Sequence, residues 1–133
     1  MKYIAFDIGE KRIGVAVSDE SGIIARPLLT LFVTDSLFTK IGEIIESEKP
    51  ETAVFGLPRH ESGEAGKAVS EIRQFAKGVG HEYNILVDFE DESGTSIEAE
   101  KRLKEVGKNI KEIKEMVDAE AAAVILESYL ART

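Results

Sequence analysis

Short apolar runs and helically spaced apolar residues alternate along the chain in an order typical of a mixed α/β fold. Two runs rich in Ile, Val, Phe and Tyr occupy residues 2–8 and 12–18, separated by Gly9-Glu10-Lys11, and they predict a β-hairpin. Residues 23–33 form a third apolar run, in which Pro27 predicts an edge strand or a bulge. The chain is therefore expected to open on an antiparallel three-stranded meander.

The period of the apolar pattern changes after this meander. Residues 36–48 and 64–79 carry apolar side chains at intervals of three or four, which predicts two helices, with Asp35 as the N-cap of the first. Buried strands are predicted over residues 52–58 and 85–89. The order of elements thus becomes a meander followed by alternating helices and strands.

The last third of the chain predicts two further helices. Thr95 or Ser96 is the expected cap of a helix that runs to about Val106, residues 107–114 are expected to be a polar, mobile segment, and residues 117–131 predict a heavily apolar helix. The complete order, βββαβαβαα, predicts an α/β fold with a mixed five-stranded sheet and helices on both faces. A chain of 133 residues fits one domain, expected to span residues 1–133.

Charge and composition narrow the possible functions. The chain lacks cysteine, which excludes disulfides and thiolate metal sites. Its net charge of −8 argues against a simple nucleic-acid-binding protein, which is expected to be basic. The charge is uneven, however: residues 90–100 hold five acids and no base, whereas residues 101–114 hold six bases and two acids. Such neighbours suit either a metal site beside a polyanion or two solvated helix faces.

No targeting or membrane signal stands out in the sequence. No run approaches the ~20 apolar residues of a membrane span, and the apolar strand pattern begins at residue 2 without a basic stretch and apolar signal core. We therefore expect a cytoplasmic protein that does not associate with a membrane.

Three groups of carboxylates occupy positions that a mixed sheet can bring together. Asp7 ends the first strand, Asp91 and Glu92 follow the last strand, and Asp118 begins the last predicted helix. Each has a local explanation as well: Asp7 can form an Asx turn onto Gly9, the pair can lie in an exposed loop, and Asp118 can cap its helix. Ligand and catalytic sites of open sheets nevertheless lie beyond the carboxyl ends of strands.

An oxygen-only cluster of this kind suits a hard divalent cation. Two or three carboxylates are what Mg²⁺ or Mn²⁺ prefers, and a pair of such ions can clamp the attacking and leaving oxygens of a phosphodiester. The layout therefore predicts a metal-dependent site that acts on phosphodiesters.

Four motifs along nearly the whole chain resemble those of one family. The first is Asp7-Ile8-Gly9 followed by Lys11-Arg12-Ile13-Gly14, and the second is Gly56-Leu57-Pro58 followed by Gly63 and Gly66; the third is Asp91-Glu92 followed by Thr95-Ser96, and the fourth is Val117-Asp118-Ala119 followed by Ala121-Ala122. Together they resemble the YqgF family, also called RuvX-like proteins or Holliday-junction resolvases, in the ribonuclease H-like superfamily.

The resemblance implies a ribonuclease H-like fold and a divalent-metal nuclease that uses Mg²⁺ or Mn²⁺. Its acidic triad, catalytic and metal-binding at once, would be Asp7, Glu92 and Asp118. Lys11, Arg12 and Arg59 are the expected nucleic-acid-binding residues. The implied activity is maturation of the 5′ end of pre-16S ribosomal RNA, on structured RNA, by a monomer or homodimer.

Alternatives remain at this point. A junction resolvase acting on branched DNA is expected to be a symmetric dimer. A non-catalytic nucleic-acid-binding module on the same fold is favoured by the acidic charge and by Ser93, which stands where the family carries an arginine. An actin-like ATPase, whose first phosphate loop resembles Asp7-Ile8-Gly9, would need a second domain to enclose its nucleotide.

Overall fold

A computed structural model of the chain describes residues 1–58, 64–92 and 94–133, with only the backbone given for residues 64 and 65. Within these ranges the order of elements is βββαβαβαα, as the apolar pattern predicts. The strands are β1 (Tyr3–Ile8), β2 (Arg12–Ser18), β3 (Ala25–Phe32), β4 (Thr52–Pro58) and β5 (Leu86–Glu92), and the helices are α1 (Leu37–Glu48), α2 (Glu64–Tyr83), α3 (Thr95–Glu105) and α4 (Ile110–Ala131).

The five strands form one mixed sheet in the order β3-β2-β1-β4-β5. The first three strands pair antiparallel, while β4 pairs parallel to β1 and β5 parallel to β4. Pro27 lies on the edge strand, beside a register shift between Val15 and Ala16 on β2, because a residue without an N–H is tolerated where no neighbour needs it. The predicted fold class is confirmed, with helices on both faces of the sheet.

The two faces of the sheet bury different kinds of side chain. One face carries large residues such as Phe6, Val15 and Phe55, which pack with residues of α1 and α2. The opposite face carries Ala5, Ala16 and Val54 beneath the alanine-rich stretch of α4. Small residues on the sheet and on α4 let the helix lie close to the sheet. This close approach places Asp118 of α4 directly above β2.

Three element ends differ from the sequence predictions. The N–H groups of Ile23 and Ile24 donate to Oδ1 of Asp19 at 2.8 and 3.0 Å, which keeps both residues out of β3. These bonds lower the pKa of Asp19 to about 2. The expected N-cap Asp35 is wrong, since Ser36 occupies that position and forms no side-chain cap bond. Helix α2 continues to Tyr83, whose hydroxyl donates to the carbonyl of Phe38.

The predictions for the last third of the chain need larger corrections. Gly94, with φ 69°, precedes α3, so neither Thr95 nor Ser96 caps it. The segment 107–114 is not a mobile linker, because α4 begins at Ile110. Asn109 accepts from the N–H of Glu112 at 2.9 Å, and the Glu112 side chain accepts in return from the N–H of Asn109. This capping box starts the helix two turns earlier than the apolar pattern suggests.

Among the helices that the structure describes, none has the length and apolarity needed to cross a membrane.

Candidate active site

One row of residues crosses the sheet beneath the middle of α4. Asp7 on β1 pairs in register with Gly14 on β2. On the other side, Phe6 pairs with Phe55 of β4, which places Gly56 next to Asp7. Side chains on this row point towards α4, because residues two apart on a strand share a face and Ala5 packs there. Asp7 thus lies between two glycines on the helix-covered face.

The glycine on β4 makes room for a side chain from β5. A Cβ at Gly56 would lie 2.4 Å from Oε2 of Glu92 and 2.6 Å from Cδ1 of Ile125. The Glu92 side chain therefore lies across the backbone of β4 and reaches towards Asp7. Glu92 belongs to β5 itself and does not follow it, which corrects the predicted loop position; Asp91 points to the opposite face and is exposed.

The glycine on β2 lets the backbone of α4 approach the sheet. A Cβ at Gly14 would lie 1.8 Å from the carbonyl oxygen of Asp118 and 2.3 Å from its carbonyl carbon. Asp118 is an interior residue of α4, so it does not cap the helix and the prediction that it begins the helix is wrong. The prediction that Asp118 shares the sheet-facing side of its helix with Ala121, Ala122 and Ile125 is confirmed, since these three residues are buried.

Burial and mutual repulsion raise the pKa values of two of these acids. Burial, together with the negative charge of Asp118, raises the pKa of Asp7 from 3.8 to about 6. Burial and the adjacent Asp7 raise the pKa of Glu92 from 4.5 to about 7. Oε2 of Glu92 is buried and has no hydrogen-bond partner among the described residues. Each carboxyl group of the pair thus resists ionisation, because it is largely desolvated and lies beside another acid.

The third acid has a cation as its partner. Nε of Arg12 donates to Oδ2 of Asp118 at 2.8 Å. Among the described residues, no group of three or more Asp, Glu, His or Cys side chains is already gathered as a metal-binding cluster. The physical reason is that Asp118 is turned towards Arg12, while Asp7 and Glu92 face each other. Asp7 and Glu92 thus contact each other, and Asp118 is near enough for its charge to act on Asp7, but its carboxylate is held by Arg12.

Two of the three predicted nucleic-acid-binding residues line one cleft beside Asp118. Lys11 and Arg12 line a cleft of about 340 Å³ with Gly9, Glu10 and Asp118 at the hairpin turn. That turn is closed by the N–H of Gly9 donating to the carbonyl of Arg12 at 2.9 Å, a backbone bond that needs no Asx turn from Asp7. Arg59 and Ser93 lie outside the described residues.

Sequence reasoning missed how the neighbouring charges are neutralised. Glu90, buried on the same face as Glu92, accepts from the hydroxyl of Ser128 at 2.6 Å and from Nε of Arg132 at 2.5 Å. In the basic segment, Arg102 contacts Glu98, Glu120 and Glu127. Part of the expected acid–base asymmetry is therefore neutralised in structural ion pairs. For the close contacts at the acidic site, the sequence did offer a signal. Gly14 and Gly56 lie within strands, and a strand glycine often marks the close approach of another group.

Comparisons with known proteins identify the family of the chain. A model of the RuvX family, described as Holliday junction resolvase, matches residues 1–132. A relative from Maridesulfovibrio salexigens, named "Putative pre-16S rRNA nuclease", is 38% identical over 134 residues and covers 99% of each chain. A relative of the same name from Dechloromonas aromatica is 38% identical over 128 residues, covering 95% of this chain and 88% of its own.

Solved structures support the fold assignment. The fowlpox virus Holliday junction resolvase superposes with a TM-score of 0.63 at 18% identity, covering 100% of both chains. The Thermus thermophilus RuvC in complex with a Holliday junction substrate gives a TM-score of 0.61 at 17% identity, covering 99% of this chain and 96% of that one. From the family match and the full-length relatives, the chain belongs to the RuvX family of nucleases, and its fold is the ribonuclease H-like fold of the junction resolvases.

Proposed function

We propose that this chain is a divalent-metal-dependent endonuclease that matures the 5′ end of pre-16S ribosomal RNA, with Asp7, Glu92 and Asp118 as its metal-binding and catalytic acids. The observation that carries the proposal is the half-buried Asp7–Glu92 pair next to Asp118. Two carboxyl groups with raised pKa values are costly for the fold, and such costs are typical of functional sites.

The donor set fits a hard divalent cation. All three side chains offer carboxylate oxygens, the ligands that Mg²⁺ and Mn²⁺ prefer. Oε2 of Glu92, buried and without a hydrogen-bond partner among the described residues, is an acceptor in need of a cation. Asp118 completes the set once its carboxylate separates from Nε of Arg12, 2.8 Å away.

The chain's own residues divide the work of the reaction. Asp7 and Glu92 would hold the cation from the sheet, and Asp118 would hold it from α4. A bound cation would supply an activated water as the nucleophile and stabilise the charge that develops on the phosphodiester. Lys11 and Arg12, which line the cleft beside Asp118, bind the phosphates that flank the scissile bond. The guanidinium of Arg12 suits this role because it contacts phosphate through two parallel hydrogen bonds.

The substrate class comes from the relatives. The full-length relatives are named for pre-16S rRNA, which favours a structured ribosomal RNA precursor. The family description, Holliday junction resolvase, favours four-way DNA junctions as the second candidate. A non-catalytic binding module would bind one of these substrates without cleaving it.

Cleavage assays discriminate among these candidates. We expect the purified protein to cut an RNA that spans the 5′ end of 16S rRNA when Mg²⁺ or Mn²⁺ is present, and to be inactive in EDTA, because the acids need the cation to act on phosphate. A four-way DNA junction and a linear DNA duplex serve as parallel substrates. Preferential, paired cutting of the junction would favour the resolvase, and binding without any cleavage would contradict the enzymatic proposal.

Metal binding also predicts a change in thermal stability. At ten times its dissociation constant, Mn²⁺ or Mg²⁺ is expected to raise the unfolding free energy by about 1.4 kcal/mol, which raises Tm by about 5 °C for a chain of this size. The measurement is a thermal melt at pH 8 with and without metal. The shift should disappear in Asp7→Asn and persist in the matched variant Asp91→Asn, whose carboxylate points to the other face. An equal shift in both variants would place the metal elsewhere.

A further inference from the structure

A groove that begins at Arg12 runs along the edge of the sheet. It lies between β3 and the first turns of α4, on the face that carries Asp7 and Glu92, and its volume is about 620 Å³. Ligand sites for small organic groups usually have volumes of about 300–1,000 Å³. Arg12 lines both this groove and the cleft beside Asp118, so the two spaces meet at that side chain.

Part of the groove wall is apolar and includes an exposed aromatic ring. Phe32, the last residue of β3, is 61% exposed, and its partner across the strands is Arg12, so both side chains point to the same face. Leu29 and Met116, each 36% exposed, line the walls with it. A phenylalanine exposed to this degree leaves much of its ring open to solvent, and such a ring is a platform on which a nucleotide base can stack.

The charges of the groove fit a single nucleotide with its phosphate at the Arg12 end. Arg12 uses only Nε on Asp118, and its two terminal nitrogens form no hydrogen bond with any described residue. Lys114 lines the α4 wall and takes part in no ion pair within the described ranges. Two acids line this wall as well: Glu120, which lies 3.9 Å from Arg102, and Glu115. A carboxylate there repels a second phosphate but accepts hydrogen bonds from the amino groups of a base.

We infer that this groove is a subsite for one unpaired nucleotide of the nucleic-acid substrate, adjacent to the scissile phosphate, with its base stacked on Phe32 and its phosphate on Arg12. The inference rests on the proposed nuclease function only for the position of the scissile bond. It requires a flexible, single-stranded nucleotide, because a base held in a duplex offers no free face to the ring.

Fluorescence provides a direct test, because the chain contains no tryptophan. Phe32→Trp would place a single indole in the groove, and Leu86→Trp, at a position 66% exposed on the opposite edge strand, is the matched control. In EDTA, where the RNA stays intact, a single-stranded RNA hexamer is expected to quench the indole emission of the Phe32→Trp protein with saturation and to leave the control unchanged. A fully paired duplex of the same sequence should quench neither.

Affinity measurements provide the second arm. By fluorescence anisotropy with a labelled hexamer, Phe32→Leu is expected to weaken binding about tenfold, while Phe32→Tyr restores it, since base stacking on an aromatic ring is worth about 1–3 kcal/mol. Thermal melts of both variants should match the parent, because the ring is largely exposed. Equal affinity of the Leu and Tyr variants, or absence of quenching at position 32, would overturn the inference.

Two further outcomes have definite meanings. Emission at position 32 that depends on protein concentration without RNA would show that a second copy of the chain covers this edge, which also overturns the inference. Quenching by RNA in a protein that cleaves none of the substrates would support the subsite while rejecting the nuclease. Cleavage that is lost in Asp7→Asn but unchanged in Phe32→Leu would support the nuclease while rejecting the subsite.

Discussion

Asp7→Asn is expected to lower the rate of RNA cleavage by at least about 100-fold, equivalent to about 2.7 kcal/mol of transition-state stabilisation, while the fold persists. The amide has nearly the same shape as the carboxylate but carries no charge, so it holds a divalent cation poorly. Asp7 lies at the centre of the row beneath α4, between Gly14 and Gly56, and is the acid that both Glu92 and Asp118 influence. Initial rates with Mn²⁺ in excess measure the effect.

The same substitution is expected to stabilise the metal-free protein at alkaline pH. The pKa of Asp7 in the folded state, about 6, lies above its ordinary value of 3.8, so the folded state binds a proton more tightly than the unfolded state. Its contribution to the unfolding free energy is therefore fully present below pH 3.8 and is lost as pH rises through about 6. Asp7→Asn should raise the unfolding free energy by about 1–3 kcal/mol at pH 8 and by much less at pH 4.

Urea unfolding in EDTA at the two pH values measures this difference. Asp91→Asn is the control for both experiments, because it makes the same chemical change one residue from Glu92 on the exposed side of β5. Full cleavage activity in Asp7→Asn would refute the metal-binding triad. Loss of activity with lower stability at pH 8 would instead indicate that Asp7 supports the fold.

Gly14→Ala is expected to destabilise the protein by about 3 kcal/mol or more, the upper end of overpacking costs, and to lower Tm by about 10 °C. A methyl group there would lie 1.8 Å from the carbonyl oxygen of Asp118 and 2.9 Å from the backbone nitrogen of Ala119. The obstacle is helix backbone that cannot rotate away, so α4 must move off the sheet. Its buried residues Ala122, Ile125 and Leu126 would lose contact with β1, β2 and β4.

Gly78→Ala is the matched control for this prediction. Gly78 lies inside α2, and the nearest atom that a methyl group there would meet is Cζ of Phe38 at 3.5 Å, an ordinary contact. Alanine is favoured over glycine within helices by about 0.5–1 kcal/mol, so the control should be neutral or slightly more stable. Urea denaturation of both variants measures the contrast, and a Gly14→Ala protein as stable as the parent would show that α4 can retreat at little cost.

The order of elements was predictable because it depends on short-range patterns. Alternating and helically spaced apolar residues within windows of about ten residues correctly predicted the strands, the helices and the mixed sheet of the described ranges. The element ends were less predictable, because single side-chain hydrogen bonds decide them. Asp19 excludes Ile23 from β3, and the capping box of Asn109 extends α4 through a segment whose polar composition suggested a linker.

The sequence by itself determined which carboxylates are candidates for the site, since Asp7, Glu92 and Asp118 stand within motifs of the family. What the acids contact was decided only by tertiary structure. Arg12 and Asp118 are 106 positions apart, and Glu92 reaches Asp7 only because the neighbouring strand has a glycine between them. Local patterns carry no information on such contacts, which depend on sheet register and on how closely α4 approaches the sheet. The same packing buries Asp7 and Glu92 and so raises their pKa values, a property that no single stretch of the chain encodes.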